Sequence, residues 1–186
     1  MGYFASAKVF SGTGHYYTGD KKVMWGERIN FRLNLKTMYT GLIHTHSLLR
    51  YLLLILLLAV IVKAFLGFSN KQAFGKADNL LGLTLFSVTH TQLLVGLLLY
   101  FVSPLVHFDG GAMKDPVVRY WTSEHIVIQL LAIVMITMAR ITSRKMKDDT
   151  AKHKRMLIFN SIALVLILMA IAMSKRGFFS MPGAAS

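Results

Sequence analysis

The sequence contains no cysteine. That excludes disulfides, thiolate zinc sites, iron–sulfur clusters and covalent haem attachment through CxxCH, but not a haem held by histidine alone. Charge is also scarce: 16% of the residues are Asp, Glu, Lys or Arg, against roughly 25% in ordinary soluble domains. Carboxylates are the scarcest, 8 against 21 basic residues, and the net charge is +13. In a soluble domain this excess would suggest nucleic acid. Here the cations cluster between apolar stretches and no basic–aromatic platform accompanies them, so no nucleic-acid partner is expected. A P-loop, HExxH, GxSxG and a Rossmann glycine pattern are missing too, which removes the common soluble-enzyme chemistries.

What the chain has is apolar residues. They make up 54% of the sequence, and the mean hydropathy is +0.52. Four stretches, at about 40–66, 79–102, 115–141 and 156–174, are rich enough in Leu, Ile, Val and Ala to cross a membrane. A hydrocarbon core of ~30 Å needs about 20 residues at 1.5 Å each. Helix signals bound them. Asp78-Asn79 precedes the second stretch and Pro104 follows it; Asp115-Pro116 opens the third as an N-cap with proline at the first helical position. The expected fold is all-α: an integral membrane bundle of four antiparallel helices in up-down-up-down order, with the lipid bilayer as its solvent.

The expected organisation has three parts. Residues 1–37 are polar and hold Gly12, Gly14, Tyr16, Tyr17 and six basic residues, Lys8, Lys21, Lys22, Arg28, Arg32 and Lys36. They contain no apolar core of signal-peptide length, and are expected to be a disordered tail or the product of a misplaced start codon. Residues 38–176 form the transmembrane domain, and 177–186 a short C-terminal tail.

The connections set an orientation. One side of the bundle carries Lys63, Lys71, Lys76, Arg140, Arg144, Lys145, Lys147, Lys152, Lys154 and Arg155. The other, beyond residue 37, carries Lys114, Arg119, Lys175 and Arg176. The positive-inside rule puts the first side in the cytoplasm of a bacterial inner membrane, with both termini outside. The basic residues of 1–37 oppose that orientation, which is the reason to doubt that segment. Tyr39, Tyr100, Tyr120 and Trp121 fall near the outer side, as an aromatic belt would.

Ionisable residues inside the spans carry the functional argument, because they are costly there and usually face a bundle interior or a cofactor. The first stretch, from Gly41 to Lys63, holds His44, His46 and Arg50; the second holds His90 and the third His125. At helical rise His46 lies about 12 Å and His125 about 14 Å from the outer end, with His90 deeper at about 18 Å. First and third helices are diagonal neighbours in such a bundle, so His46 and His125 are the matched pair for one haem iron, with His90 in reserve. His44 points about 200° away from His46 and is the weaker choice on that helix. Ser87 and Thr122, one turn before His90 and His125, are candidate acceptors for the second ring nitrogen.

Arg50 and Arg119 are candidate partners for the two haem propionates, since a guanidinium pairs bidentately with carboxylate. Against this stands an Arg50 that snorkels or pairs with Glu124, with the histidines serving only to hold helices together. Met135, Met138, Met169 and Met173, at i, i+3 and i, i+4 spacings, offer thioethers for a copper carrier, although methionines at this spacing are commonly core filler.

The runs MYTGLIHTHSLLRYLLL from Met38, SVTHTQLLVGLLLYFVSP and MKDPVVRYWTSEHIVIQLLAIV resemble small four-span bacterial membrane proteins of the cytochrome b-like kind. The resemblance extends from Met38 to about Arg176. It implies a haem b protein with His44 or His46, His90 and His125 as candidate ligands. Its expected role is that of an electron-transfer subunit, working with a quinol or a larger respiratory complex, rather than a stand-alone enzyme. Paired histidines far apart on the same helices, the pattern of larger respiratory cytochromes b, are missing, so one haem is expected. The alternative is a cofactor-free membrane subunit or small-molecule carrier.

Overall fold

Every regular element among the described residues is helical. The computed structural model describes the backbone of residues 7–111 and 113–174, with side chains from residue 36 onward. α1 runs Ala7–Ser69, α2 Lys76–Val102, α3 Pro116–Lys145 and α4 Asp149–Met173. α3 is α-helical apart from one π turn, Tyr120–Glu124. Lys36–Ser69 within α1, and each of the other three helices, are long and apolar enough to cross a membrane, with mean hydropathy from 1.7 to 2.7. The chain is a multi-pass membrane protein.

Backbone packing divides the chain into two units, Met1–Gly41 and Leu42–Ser186. In the first, the backbone is already helical from Ala7, through residues expected to be a polar tail. No proline lies within residues 1–37 to end a helix there. The C-terminal tail expected over 177–186, and Lys175 and Arg176 before it, lie outside the described residues.

In the second unit, local chemistry sets the helix ends. The Gly75 N–H donates to Asp78 Oδ2 at 2.9 Å as α2 begins. α2 stops at Val102, ahead of Pro104. Asp115 caps α3 by accepting from the N–H groups of Val117 and Val118 at 2.7 and 3.2 Å, with Pro116 at the first position. Asp148 caps α4 through the Ala151 N–H at 2.7 Å.

That cap moves a boundary. α3 continues to Lys145 and α4 starts at Asp149, not near 156. The basic loop expected between them shrinks to three residues. Most of its cations lie on helices instead, Arg144 and Lys145 in the last turn of α3, where the helix dipole favours them.

The core is a contact of apolar stripes. Leu53, Leu57, Val60 and Ala64 on α1, Leu85 on α2, Ala132, Ile136 and Ala139 on α3, and Ala163 and Ile167 on α4 are buried together. The alanines bring backbones close, and in lipid such packing, not water exclusion, holds helices together. Opposite faces carry exposed Ile55, Leu94 and Val165, as a lipid-facing surface requires.

Cross-helix pairs give the direction of each neighbour. Lys63 Nζ meets Asp78 Oδ1 at 3.2 Å, while Gln92 meets the His46 carbonyl, so α1 and α2 are antiparallel. Arg140 Nη1 donates to Asn79 Oδ1 at 2.7 Å and Tyr100 to the Thr122 carbonyl at 2.8 Å, so α2 and α3 are too.

Candidate cofactor site

Two histidines on different helices of the second unit, His46 and His125, stand within electrostatic range of one another. His46 lies on α1, one turn before Arg50. α2 grips this turn at two points. Gln92 Nε2 donates to the His46 carbonyl at 3.0 Å. Gly96, one turn further along α2, lies against the imidazole: a Cβ there would sit 3.3 Å from His46 Cε1. The glycine is what allows the ring to approach the α2 backbone.

His125 follows the π turn of α3 directly. A π turn accommodates one extra residue and recurs at functional sites. Here the His125 N–H bonds to the Tyr120 carbonyl, five residues back. The Tyr120 side chain thereby reaches its own successor, with its hydroxyl 3.2 Å from His125 Nδ1. The same hydroxyl donates to the Ala170 carbonyl of α4 at 2.5 Å. A phenol has one proton, and a carbonyl can only accept. The phenol oxygen therefore accepts from His125, Nδ1 carries the imidazole proton, and a neutral ring keeps its lone pair on Nε2. Trp121 packs beside the ring at 5.3 Å between centroids.

His125 stands within electrostatic range of both His46 and Arg50. Nδ1 of His46 and Nε of Arg50 are buried with no hydrogen-bond partner among the described residues. Leaving such an atom unpaired costs about 1–3 kcal/mol, and the two lie one helical turn apart on α1, where a single ligand could meet both. Arg50 also donates from Nη2 to the Tyr51 hydroxyl at 3.1 Å, and its guanidinium lies 4.9 Å from that ring's centre.

The other candidates lie elsewhere. His44 is exposed, as its angular separation from His46 requires. His90 Nδ1 donates to the Phe86 carbonyl of its own helix at 2.8 Å, and its ring packs on Phe86. The inward face of α2 runs through Gly82, Leu85, Thr89, Gln92 and Gly96, at spacings of three and four; His90 is about 100° off that line. Arg119 is largely exposed and pairs with Glu124, Nε to Oε1 at 2.7 Å. Glu124 is thus taken by Arg119 and not by Arg50. Met138, Met169 and Met173 are exposed side chains of the outer surface and do not converge inward. Among the described residues no group of three or more His, Asp or Glu side chains is arranged to hold a metal ion.

Both expected acceptors differ. Thr122 Oγ1 accepts from the His107 N–H at 3.2 Å, and the π turn puts Tyr120 at His125 in its place. Ser87 gives way to the Phe86 carbonyl at His90. Tyr120, expected in an aromatic belt, is 5% exposed.

A second polar group lies near the other end of the helices. His153 is 2% exposed, with both ring nitrogens unpartnered among the described residues, and packs on Phe74 and Gly67. Asn160 is fully buried, its Nδ2 donating to the Met156 carbonyl at 2.7 Å. In sequence His153 sits between Lys152 and Lys154 and reads as loop; only the helix cap at Asp148 would have moved it into a span.

In comparisons with protein-family models, curated proteins and solved structures, nothing matches this chain.

Proposed function

We propose that the protein is a membrane electron-transfer subunit for one b-type haem, which the imidazoles of His46 and His125 would hold. The observation that carries this reading is the pair itself. His125 has its Nε2 lone pair set by Tyr120, and His46, within electrostatic range, has a buried ring nitrogen without a partner among the described residues. The residues fit the group. Two imidazoles are a common donor set for haem iron, and no cysteine competes. The unpaired Nε of Arg50 suits a propionate carboxylate. Arg119, engaged by Glu124, is the weaker propionate partner.

Haem bound there would supply one-electron transfer. The chain's own part is positional. Tyr120 aims His125, and Gln92 and Gly96 hold His46. A quinol or a larger respiratory complex is the proposed electron partner.

The membrane is proposed to be a bacterial inner membrane, with the α1–α2 and α3–α4 connections in the cytoplasm, where the cations favour them. Labelling of a single cysteine introduced at Lys147 should occur only from the cytoplasmic side; labelling from outside would overturn the orientation.

One observation favours a cofactor-free bundle instead: Tyr120 also ties His125 to Ala170 as an interhelical clasp. A reduced-minus-oxidised visible spectrum of protein purified from haem-supplied cells separates the two. Haem b bands are expected, and their absence would leave the histidines as structural.

A further inference from the structure

A cavity of about 420 Å³ opens at the α3–α4 connection, lined by Thr142, Lys145, Lys147, Asp148, Ala151 and Arg155 among others. None of its three cations is held in an ion pair among the described residues, although the Arg155 guanidinium lies 6.0 Å from the centre of the Phe159 ring. The ion pairs among the described residues are Lys63–Asp78, Arg119–Glu124 and Lys152–Asp149, and none uses them. The one carboxylate in the lining, Asp148, is occupied in capping α4 through the Ala151 N–H. The lining therefore carries three positive charges against the one negative charge of Asp148, whose carboxylate is directed at the backbone.

The flanking helices continue the cavity as an apolar track. On α3, Val134, Met138 and Ile141 lead to Lys145 at steps of four, three and four, so they lie along one face. On α4, Ala151 and Arg155 are followed by Ile158, Ile162 and Val165 at the same kind of spacing. All six of these large apolar side chains are exposed. A cationic recess thus stands at the membrane-end of two spans, at the head of two apolar rows.

We propose that this recess binds the phosphodiester headgroup of an anionic phospholipid, with the acyl chains lying along the two rows. Basic pockets between transmembrane helices suit anionic headgroups. The apolar rows favour a lipid over a free phosphate, which has nothing to place on them. This site is separate from His46 and His125 and does not rest on the haem reading.

The test is native mass spectrometry of the full-length protein in mild detergent, offered phosphatidylglycerol and phosphatidylcholine with identical acyl chains. One phosphatidylglycerol should be retained in preference, and excess inorganic phosphate should leave it bound. The variant Lys145→Gln/Lys147→Gln/Arg155→Gln should lose the preference, with an affinity drop on the order of a hundredfold, about fivefold for each cation. Lys71→Gln/Lys76→Gln, which removes one cation from the α1–α2 connection and one from the first position of α2, should keep it. If the triple variant does not accumulate, Lys147→Gln and Arg155→Gln singly should each show a partial loss. Equal retention of the two lipids, displacement by phosphate, or cation variants that bind like the parent would overturn the proposal.

Discussion

The Tyr120 hydroxyl lies 3.2 Å from Nδ1 of His125 and donates its proton to the Ala170 carbonyl of α4. The second bond decides the direction of the first: His125 is the donor, and its Nε2 is the free lone pair. The five-residue separation of Tyr120 and His125 is bridged by the π turn, Tyr120–Glu124. One backbone irregularity therefore sets the tautomer of a membrane histidine and joins α3 to α4.

Replacing Tyr120 with phenylalanine keeps the ring and removes only the hydroxyl. The His125 N–H then loses its partner, and the Ala170 carbonyl is left with the Ser174 N–H alone. The bundle should be destabilised by about 1–3 kcal/mol, read as a lower unfolding midpoint in a detergent titration. Haem content should fall without vanishing, because the imidazole remains but is no longer held in one tautomer. An unchanged midpoint would show that the Tyr120 bonds contribute nothing.

Gly96 sets a size limit beside His46. Gly96→Ala places a Cβ 3.3 Å from His46 Cε1, a contact that a few tenths of an ångström of ring movement relieves. Alanine also gains roughly 0.5–1 kcal/mol in a helix interior relative to glycine, so stability should change little. Gly96→Leu has no such escape and should cost about 1–3 kcal/mol by overpacking, with a clear loss of haem. Comparing the haem content of the two variants checks this. Equal retention in both would mean that the His46 ring does not depend on the α2 surface.

Gly67 and His153 form the other tight approach. A Cβ at Gly67 would overlap the His153 ring, so Gly67→Ala should destabilise strongly, by about 1–3 kcal/mol for a displaced core side chain. His153→Ala should make room for that methyl group. The double variant should therefore be more stable than the sum of the single effects, with a coupling of about 0.5–3 kcal/mol. Additive effects in unfolding measurements would refute the contact.

The four spans are legible in the sequence because apolar runs of membrane length, with Asp115-Pro116 and Pro104 as punctuation, admit little else. Rise per residue alone makes His46 and His125 candidates for one another, since similar depth on different helices is a simple count; the structure adds that the two stand within electrostatic range. His90 is deeper by the same count, but its departure from the inward face of α2 emerges only once Thr89, Gln92 and Gly96 are seen to define that face. Tyr120 is hidden because an α-helix of uniform pitch puts Thr122, not Tyr120, beneath His125. The π turn that changes this has no sequence mark. His153 is hidden by its lysine neighbours, which make a helical turn look like a loop. A glycine inside an apolar helix, as at Gly96, does signal close packing, but not which side chain approaches it.

The central claim is that His46 and His125 together hold one haem, and haem content per protein in four single alanine variants tests it most directly. His46→Ala and His125→Ala should each abolish low-spin haem, because no cysteine is present to replace the lost ligand. His44→Ala should retain it, since that side chain is exposed on another face. His90→Ala should retain it as well, since its ring is bonded to the Phe86 carbonyl of its own helix. A His125→Ala protein that keeps its full complement of low-spin haem would contradict the account.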